Sequence, residues 1–296
     1  EVMWSDDPTV VGFVVNEAHE GAHAGDYYTA MELGDALVHE CGWEVRFLPM
    51  KNHAPHCFDV AGIDILIVMI DRYDLREIRN AKPGLLRIAW MRNWFDRWIS
   101  RQWFDRYDLK LCSSRKAASY VEEHSGHRAG LLRIATNDKR FLPDPMASAR
   151  DIDYCFTGSS RSEPREIEAF DPGRLQYRFA VFGRGWEGQP RFKAHWGGFA
   201  PYEVLPSIYR RSRIVIDDAN RVTKRWGSLN SRVFDALASG ALVITNGAEG
   251  AREVFGDLLP IYGDAEGLER ELKRYLQEPG RLASDAAALR ERVLSG

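Results

Sequence analysis

Residues 226–246 read WGSLNSRVFDALASGALVITN, and how that stretch is parsed decides the fold of the chain. On a helix at about 100° per residue, Ser228 to Ser239 place Leu229, Val233, Ala236 and Leu237 on one side. Ser228, Arg232, Asp235 and Ser239 fall on the other. One face packs; the other carries chemistry. Ser228 stands where a cap is wanted and Gly240 where a left-handed stop is wanted. Ala241 to Thr245 is a short apolar run suited to a buried parallel strand. The amides of the helix start, with Arg232 one turn in, would attract a phosphate. Asp235, further along the same face, is placed to accept hydrogen bonds from ribose hydroxyls. The plain alternative is an i,i+3 surface ion pair between Arg232 and Asp235, a common and weak feature.

Working outward, the same grammar recurs along the chain. Thr9 to Val15 is an apolar run that ends in a polar loop, Asn16 to Asp26, holding Gly21 and Gly25. From Asp26 to Cys41 the apolar positions Ala30, Leu33, Leu37 and Cys41 mark an amphipathic helix stopped by Gly42, and Trp43 to Leu48 reads as the next strand. This is a βαβ unit, which requires a parallel sheet and a right-handed crossover. Ile63 to Ile70, Leu85 to Met91, Tyr107 to Cys112 and Gly130 to Ile134 continue the strands, with a helix from Ser114 to Glu123. A second alternation starts at Ile152 to Thr157, which runs into Gly158, Ser159 and Ser160; Tyr177 to Phe182 runs into Gly183, Arg184 and Gly185. Glycines at such points let a backbone approach a ligand and present amides to an anion. Ile214 to Asp217 is a further strand, and helices are expected over Tyr202 to Arg210, Ala251 to Phe255, Ala265 to Leu276 and Arg281 to Val293.

The predicted fold is therefore α/β, with two doubly wound Rossmann-like domains facing across a cleft. The first covers 1–143 and the second 152–296, with a linker about 144–151 inside the segment Ala135 to Asp151, which contains Pro143 and Pro145. Ligands of such sheets bind beyond the carboxyl ends of the strands.

Length and composition set bounds. The 296 residues carry 40 Lys+Arg against 43 Asp+Glu, a formal net charge of -3, so no overall basic field points to nucleic acid. Cys41, Cys57, Cys112 and Cys155 are dispersed with no C-x-x-C pair, which fits reduced thiols in a cytoplasmic protein rather than a disulfide or zinc framework. No apolar run is long enough for a transmembrane segment, and the chain opens on Glu1, Asp6 and Asp7 rather than on a signal peptide. No His, Cys or carboxylate cluster has metal-ligand spacing; Asp217 and Asp218 read as structural contacts. The aromatics Trp94, Phe95, Trp98, Trp103 and Phe104 are expected chiefly to pack, with a stacking platform as the alternative.

The run from Gly197, GGFAPYEVLPSIYRRSRIVID, followed by GSLNSRVFDALASGALVITN, resembles the nucleotide-sugar domain of GT-B glycosyltransferases of the group-1 type, especially the CgeB-like spore-maturation proteins. FTGS at Phe156, VFGRGW at Val181 and GDYYTAMELGDAL at Gly25 extend the similarity. The resemblance implies a nucleoside diphosphate sugar as donor, with no metal and no bound cofactor, and Asp235 as the carboxylate that grips the ribose. Gly158, Ser159, Gly183 and Arg184, with the helix start at Ser228, Leu229, Asn230 and Arg232, would surround the diphosphate. Relatives often carry a sugar-contacting glutamate where this chain has Gly227, so the stereochemistry of transfer is left open. The acceptor, a glycan, lipid or peptide, would sit on the first domain. Candidates there for a general base are Asp26 and His23, then Asp96 with Asn93 beside it; His19 and Asp71 lie on loops of the same edge, and Asp26 also suits a helix cap. The competing readings are a two-domain sugar receptor without catalysis, and a nucleotide-sugar epimerase or phosphorylase on the same scaffold.

Overall fold

The computed structural model describes residues 7–22, 24–51, 55–144, 150–160 and 164–295. It divides into two compact units, 1–133 and 134–296.

In the first unit the strands are β1 (Val10–Val15), β2 (Glu44–Pro49), β3 (Ile65–Val68), β4 (Leu86–Met91), β5 (Leu109–Cys112) and β6 (Gly130–Leu131). They form one parallel sheet in the order β2-β1-β3-β4-β5-β6. Helix α1 (Gly25–Cys41) follows β1 and ends at Gly42, whose φ of 68° is the left-handed stop expected from the sequence. Short α2 (Phe95–Ile99) follows β4, and α3 (Arg115–Ser125) is capped by Ser114, whose hydroxyl accepts from the Ala117 amide at 3.1 Å. Every residue of β1 is buried, as a central strand covered on both faces requires.

The second unit has a parallel sheet of β7 (Ile152–Thr157), β8 (Phe179–Phe182), β9 (Ser212–Asp217) and β10 (Leu242–Thr245), in the order β10-β9-β7-β8. Its helices are α4 (Leu205–Arg211), α5 (Arg221–Arg225), α6 (Ser231–Ala238), α7 (Ala248–Phe255), α8 (Ala265–Gln277) and α9 (Pro279–Leu294). Ranked by chain position, these four strands repeat the order of the first four of the other sheet. In both, the first and third strands are neighbours whose connections leave in opposite directions, which opens a crevice at their carboxyl ends.

The core of the second unit reaches ahead of the proline-bearing stretch expected as a linker. Phe141 is fully buried there, with its ring centroid 5.8 Å from that of Tyr202 and 6.1 Å from that of Tyr209. Residues 145–149 of that stretch lie outside the described residues. Arg150 donates to the carbonyls of Ser212 and Gly240, the latter at 2.7 Å, so the entry to β7 is tied to β9 and to the end of α6.

Candidate functional site

The crevice of the second sheet lies where β7 and β9 end side by side, and Arg232 is built into it. Arg232 sits in the first turn of α6. Its Nε donates to the Thr157 carbonyl at 2.8 Å and to Thr157 Oγ1 at 3.2 Å, and its Nη1 to Asp217 Oδ1 at 2.7 Å. The guanidinium also lies 4.9 Å from the centre of the Phe156 ring. Burial opposes the charge, but Asp217, Tyr209 and Asp218 outweigh it and hold the guanidinium above its ordinary pKa. The remaining nitrogen, Nη2, faces Gly158, where an added Cβ would come within 3.1 Å of it.

Asp217, fully buried, receives two further side chains. Asn230 Nδ2 donates to Oδ1 at 2.8 Å and Thr245 Oγ1 to Oδ2 at 2.7 Å. One carboxylate thus joins the ends of β9 and β10 to the start of α6. Asn230 holds the N-cap position with extended φ/ψ, yet because its side chain is turned to Asp217 no side chain caps the helix. The start of α6 therefore lacks the usual side-chain oxygen, and the Val233 amide donates to the Asn230 carbonyl at 3.1 Å.

Ser228 does not cap this helix, contrary to the sequence expectation. Asn220 caps an extra helix, α5, by accepting from the Thr223 amide at 2.9 Å, and the chain turns back at Gly227 with φ of 64°. The Ser228 amide donates to the Thr223 carbonyl at 3.1 Å, which keeps Ser228 and Leu229 buried in the turn and delays α6 to Ser231. At its far end α6 behaves as expected, with Gly240 at φ of 79°.

Arg232 and Asp235 do not pair with each other. Asp235 is 4% exposed, and its Oδ1 accepts from the hydroxyl of Thr136 at 2.7 Å. Asp218, beside Asp217, accepts from the Ile167 amide at 2.8 Å, and burial raises its pKa despite the Arg165 and Arg232 guanidiniums nearby. Asn246, at the exit of β10, is held at both ends of its amide. Its Oδ1 accepts from the Ala219 amide at 2.6 Å, and its Nδ2 donates to Glu166 at 2.8 Å and to Asp218 at 3.3 Å.

The two glycine-ended strands come together, but in a manner the sequence did not predict. The Gly158 amide donates to the Phe182 carbonyl at 2.8 Å and the Gly183 amide to the Gly198 carbonyl at 2.9 Å, so both are committed within the protein. A Cβ on Gly183 would lie 2.4 Å from the Gly158 carbonyl oxygen. These glycines let two strand exits touch. Ser159 Oγ accepts from the Arg184 amide at 3.2 Å, and the exposed Arg184 guanidinium stacks 4.7 Å from the centre of the Phe199 ring. Phe199 and Trp196 are both substantially exposed beside this exit, and Trp196 Nε1 donates to the Gly183 carbonyl at 2.7 Å. Sequence reasoning passed over these two rings; the glycine pair Gly197–Gly198 was the signal that the backbone there runs close to β8. Position 227, which has no carboxylate of its own, is covered by the side chain of Glu249 from α7, whose Cγ and Cδ lie 3.3 Å from where a Cβ would be.

In the first unit Asp26 is buried in the first turn of α1, but the cap position is Ala24. Asp26 Oδ2 instead accepts from the backbone and side-chain nitrogens of Asn16, at 2.6 and 3.0 Å, which closes the loop after β1. Arg92, at the end of β4, donates to Thr29 Oγ1 at 3.0 Å, and burial lowers its pKa against the pull of Asp26. Asp96 accepts from the Arg97 amide at 3.0 Å in α2, and no contact joins it to Asp26 among the described residues. His23 lies outside the described residues. His19 is exposed, with Nε2 3.3 Å from Glu17, and Asp71 pairs with Arg101. Phe95, Trp98 and Phe104 are buried packing residues, whereas Trp94 is 38% exposed, holds φ of 56°, and stacks under the Arg97 guanidinium at 3.9 Å. Among the described residues no three His, Cys, Asp or Glu side chains come together as a metal site, and no helix is long and apolar enough to cross a membrane.

Residues 165–296 match the family described as glycosyl transferase-like. No curated protein matches the chain in sequence. Solved structures match it nearly end to end. A sucrose-phosphate synthase from Thermosynechococcus elongatus is 15% identical with a TM-score of 0.67, over 97% of this chain and 94% of that one. AviGT4, a glycosyltransferase of avilamycin A biosynthesis, is 17% identical with a TM-score of 0.64 over the same shares. An α-glucosyltransferase in complex with UDP and a 13-mer DNA is 11% identical with a TM-score of 0.65, over 97% of this chain and 95% of that one. A glycosyl transferase-like domain thus occupies residues 165–296 of a chain with the GT-B fold, and the two together support a glycosyltransferase enzyme.

Proposed function

We propose that the enzyme moves a sugar from a nucleoside diphosphate sugar to an acceptor hydroxyl, without a metal ion. The observation that carries this is the start of α6: a helix start with no side-chain cap, beside Arg232, at the crevice between β7 and β9. Partial positive charge from the helix start and the Nη2 edge of Arg232 would receive the diphosphate and stabilise the negative charge that grows on it as the glycosidic bond breaks. Asp235, on the same helix, would take the ribose hydroxyls. Gly158, Ser159, Gly183 and Arg184 would wall the site with backbone, and the Arg184–Phe199 stack offers a flat surface at its rim.

The acceptor is assigned to the first unit, with Asp26, His23 or Asp96 as the general base. A glycan, lipid or peptide suits a net charge of -3 better than nucleic acid does, although the α-glucosyltransferase above is bound to DNA. A cytoplasmic setting agrees with four free cysteines. Calorimetric titration with UDP, GDP and ADP tests the donor. Asp235→Ala is expected to weaken the bound nucleotide at least tenfold with the thermal melt unchanged in cooperativity; equal binding would remove the ribose assignment.

A further inference from the structure

The carboxylate assigned to the ribose is already occupied by a hydroxyl from the protein itself. Thr136 lies in an irregular stretch after β6, partly exposed, and its Oγ1 donates to Asp235 Oδ1 at 2.7 Å. The stretch is fixed just beyond this point. The amides of Arg140 and Phe141 both donate to the Asn137 carbonyl, at 3.1 and 2.8 Å, and the Phe141 ring is fully buried. Asp235 is itself 4% exposed, so a ligand hydroxyl cannot reach it while its surroundings stay as they are.

We propose that Thr136 is a positioning residue that stands in for a ribose hydroxyl, holding Asp235 until the donor displaces it. This rests on the donor reading given above. The exchange is balanced: one O–H···carboxylate bond is broken and one of the same kind is made, while the Thr136 hydroxyl turns to water. Asp235 is thereby never left buried with an accepting oxygen newly orphaned, which would cost more than a single hydrogen bond contributes. The donor must outcompete an intramolecular partner, so nucleotide affinity is set below what the pocket could reach.

The test is calorimetry of the full chain with UDP, GDP and ADP, on wild type, Thr136→Val, Thr136→Ser, Asp235→Ala and the double variant. Thr136→Val is expected to bind the preferred nucleotide about fivefold more tightly, the equivalent of one ordinary hydrogen bond. Thr136→Ser, which keeps the hydroxyl, returns to the wild-type value, and Thr136→Val has no effect once Asp235 is Ala. Should the valine variant fail to fold, Thr136→Ala replaces it, with a thermal melt as control. Unchanged or weaker binding by the valine or alanine variant, with Asp235→Ala still impaired, overturns the displacement while the donor reading stands. Wild-type binding unaffected by Asp235→Ala, or no binding of any of the three nucleotides, overturns the donor reading and the displacement with it.

Discussion

Arg232 and Asp217 form an ion pair at 2.7 Å with side chains only 15% and 0% exposed, and the pair fastens the start of α6 to the end of β9. Asp217→Ala strands the guanidinium and frees Asn230 and Thr245 as well. A loss of roughly 3–5 kcal/mol is expected, the range for breaking one side of a buried pair, read as a lower midpoint in urea unfolding. A loss under about 1 kcal/mol would mean that solvent or another group replaces the carboxylate.

Gly183 and Gly158 make a second claim on stability. With φ of 139° and the Gly158 carbonyl in the way, Gly183→Ala has no tolerable geometry and is expected to abolish accumulation of folded protein. Gly188→Ala is the control: nothing lies within 4 Å of the added Cβ, so its melt stays within about 0.5 kcal/mol of wild type.

Burial holds the Asp218 carboxyl above the ordinary range, against the Ile167 amide and two guanidiniums. The native state therefore keeps that proton more tightly than the unfolded chain. Its contribution to stability is complete below the ordinary aspartate value of about 3.9 and is lost as pH rises through the native value. Asp218→Asn does not ionise, so its stability relative to wild type should improve as pH rises above about 4. A difference that stays flat across that range would show that the native carboxyl titrates normally.

If Asp26 is the acceptor base, Asp26→Asn lowers kcat by about a hundredfold or more and leaves nucleotide affinity unchanged. Asp96→Asn, in a separate hydrogen-bonded setting, is the comparison. A loss confined to the second variant would move the base to α2.

Metal-independent transfer predicts that product formation survives EDTA undiminished and is not raised by added Mg²⁺ or Mn²⁺. Recovery of activity on adding either ion would assign charge neutralisation to a cation rather than to α6 and Arg232.

Much of this fold was legible because its signals are local. Glycine at the ends of α1 and α6, and buried apolar runs such as 152–157 and 241–245, follow from backbone preference and burial alone. The α6 site was legible only in part. Arg232 and Asp235 stood out by helical spacing, but their partners, Asp217 at 15 residues and Thr136 at 99, come from elements that only the folded topology brings to the same place. Asn230 illustrates the limit. Its type and position say cap, yet the carboxylate of Asp217 is a stronger partner than a helix amide. The glycines after β7 and β8 carry the same lesson, since the sequence shows that a side chain is absent there and not what fills the space.

Asn246 is followed by Gly247, a pair prone to deamidation because glycine lets its amide nitrogen swing onto the preceding side-chain carbonyl. In the fold that nitrogen donates to Thr245 Oγ1 at 3.0 Å while the Asn246 amide is held at both ends, so cyclisation has to wait for this corner to open. Slow conversion to aspartate, followed by mass on ageing samples, is thus an intrinsic clock for the opening of the carboxyl edge of the second sheet. A donor that settles there would slow the clock.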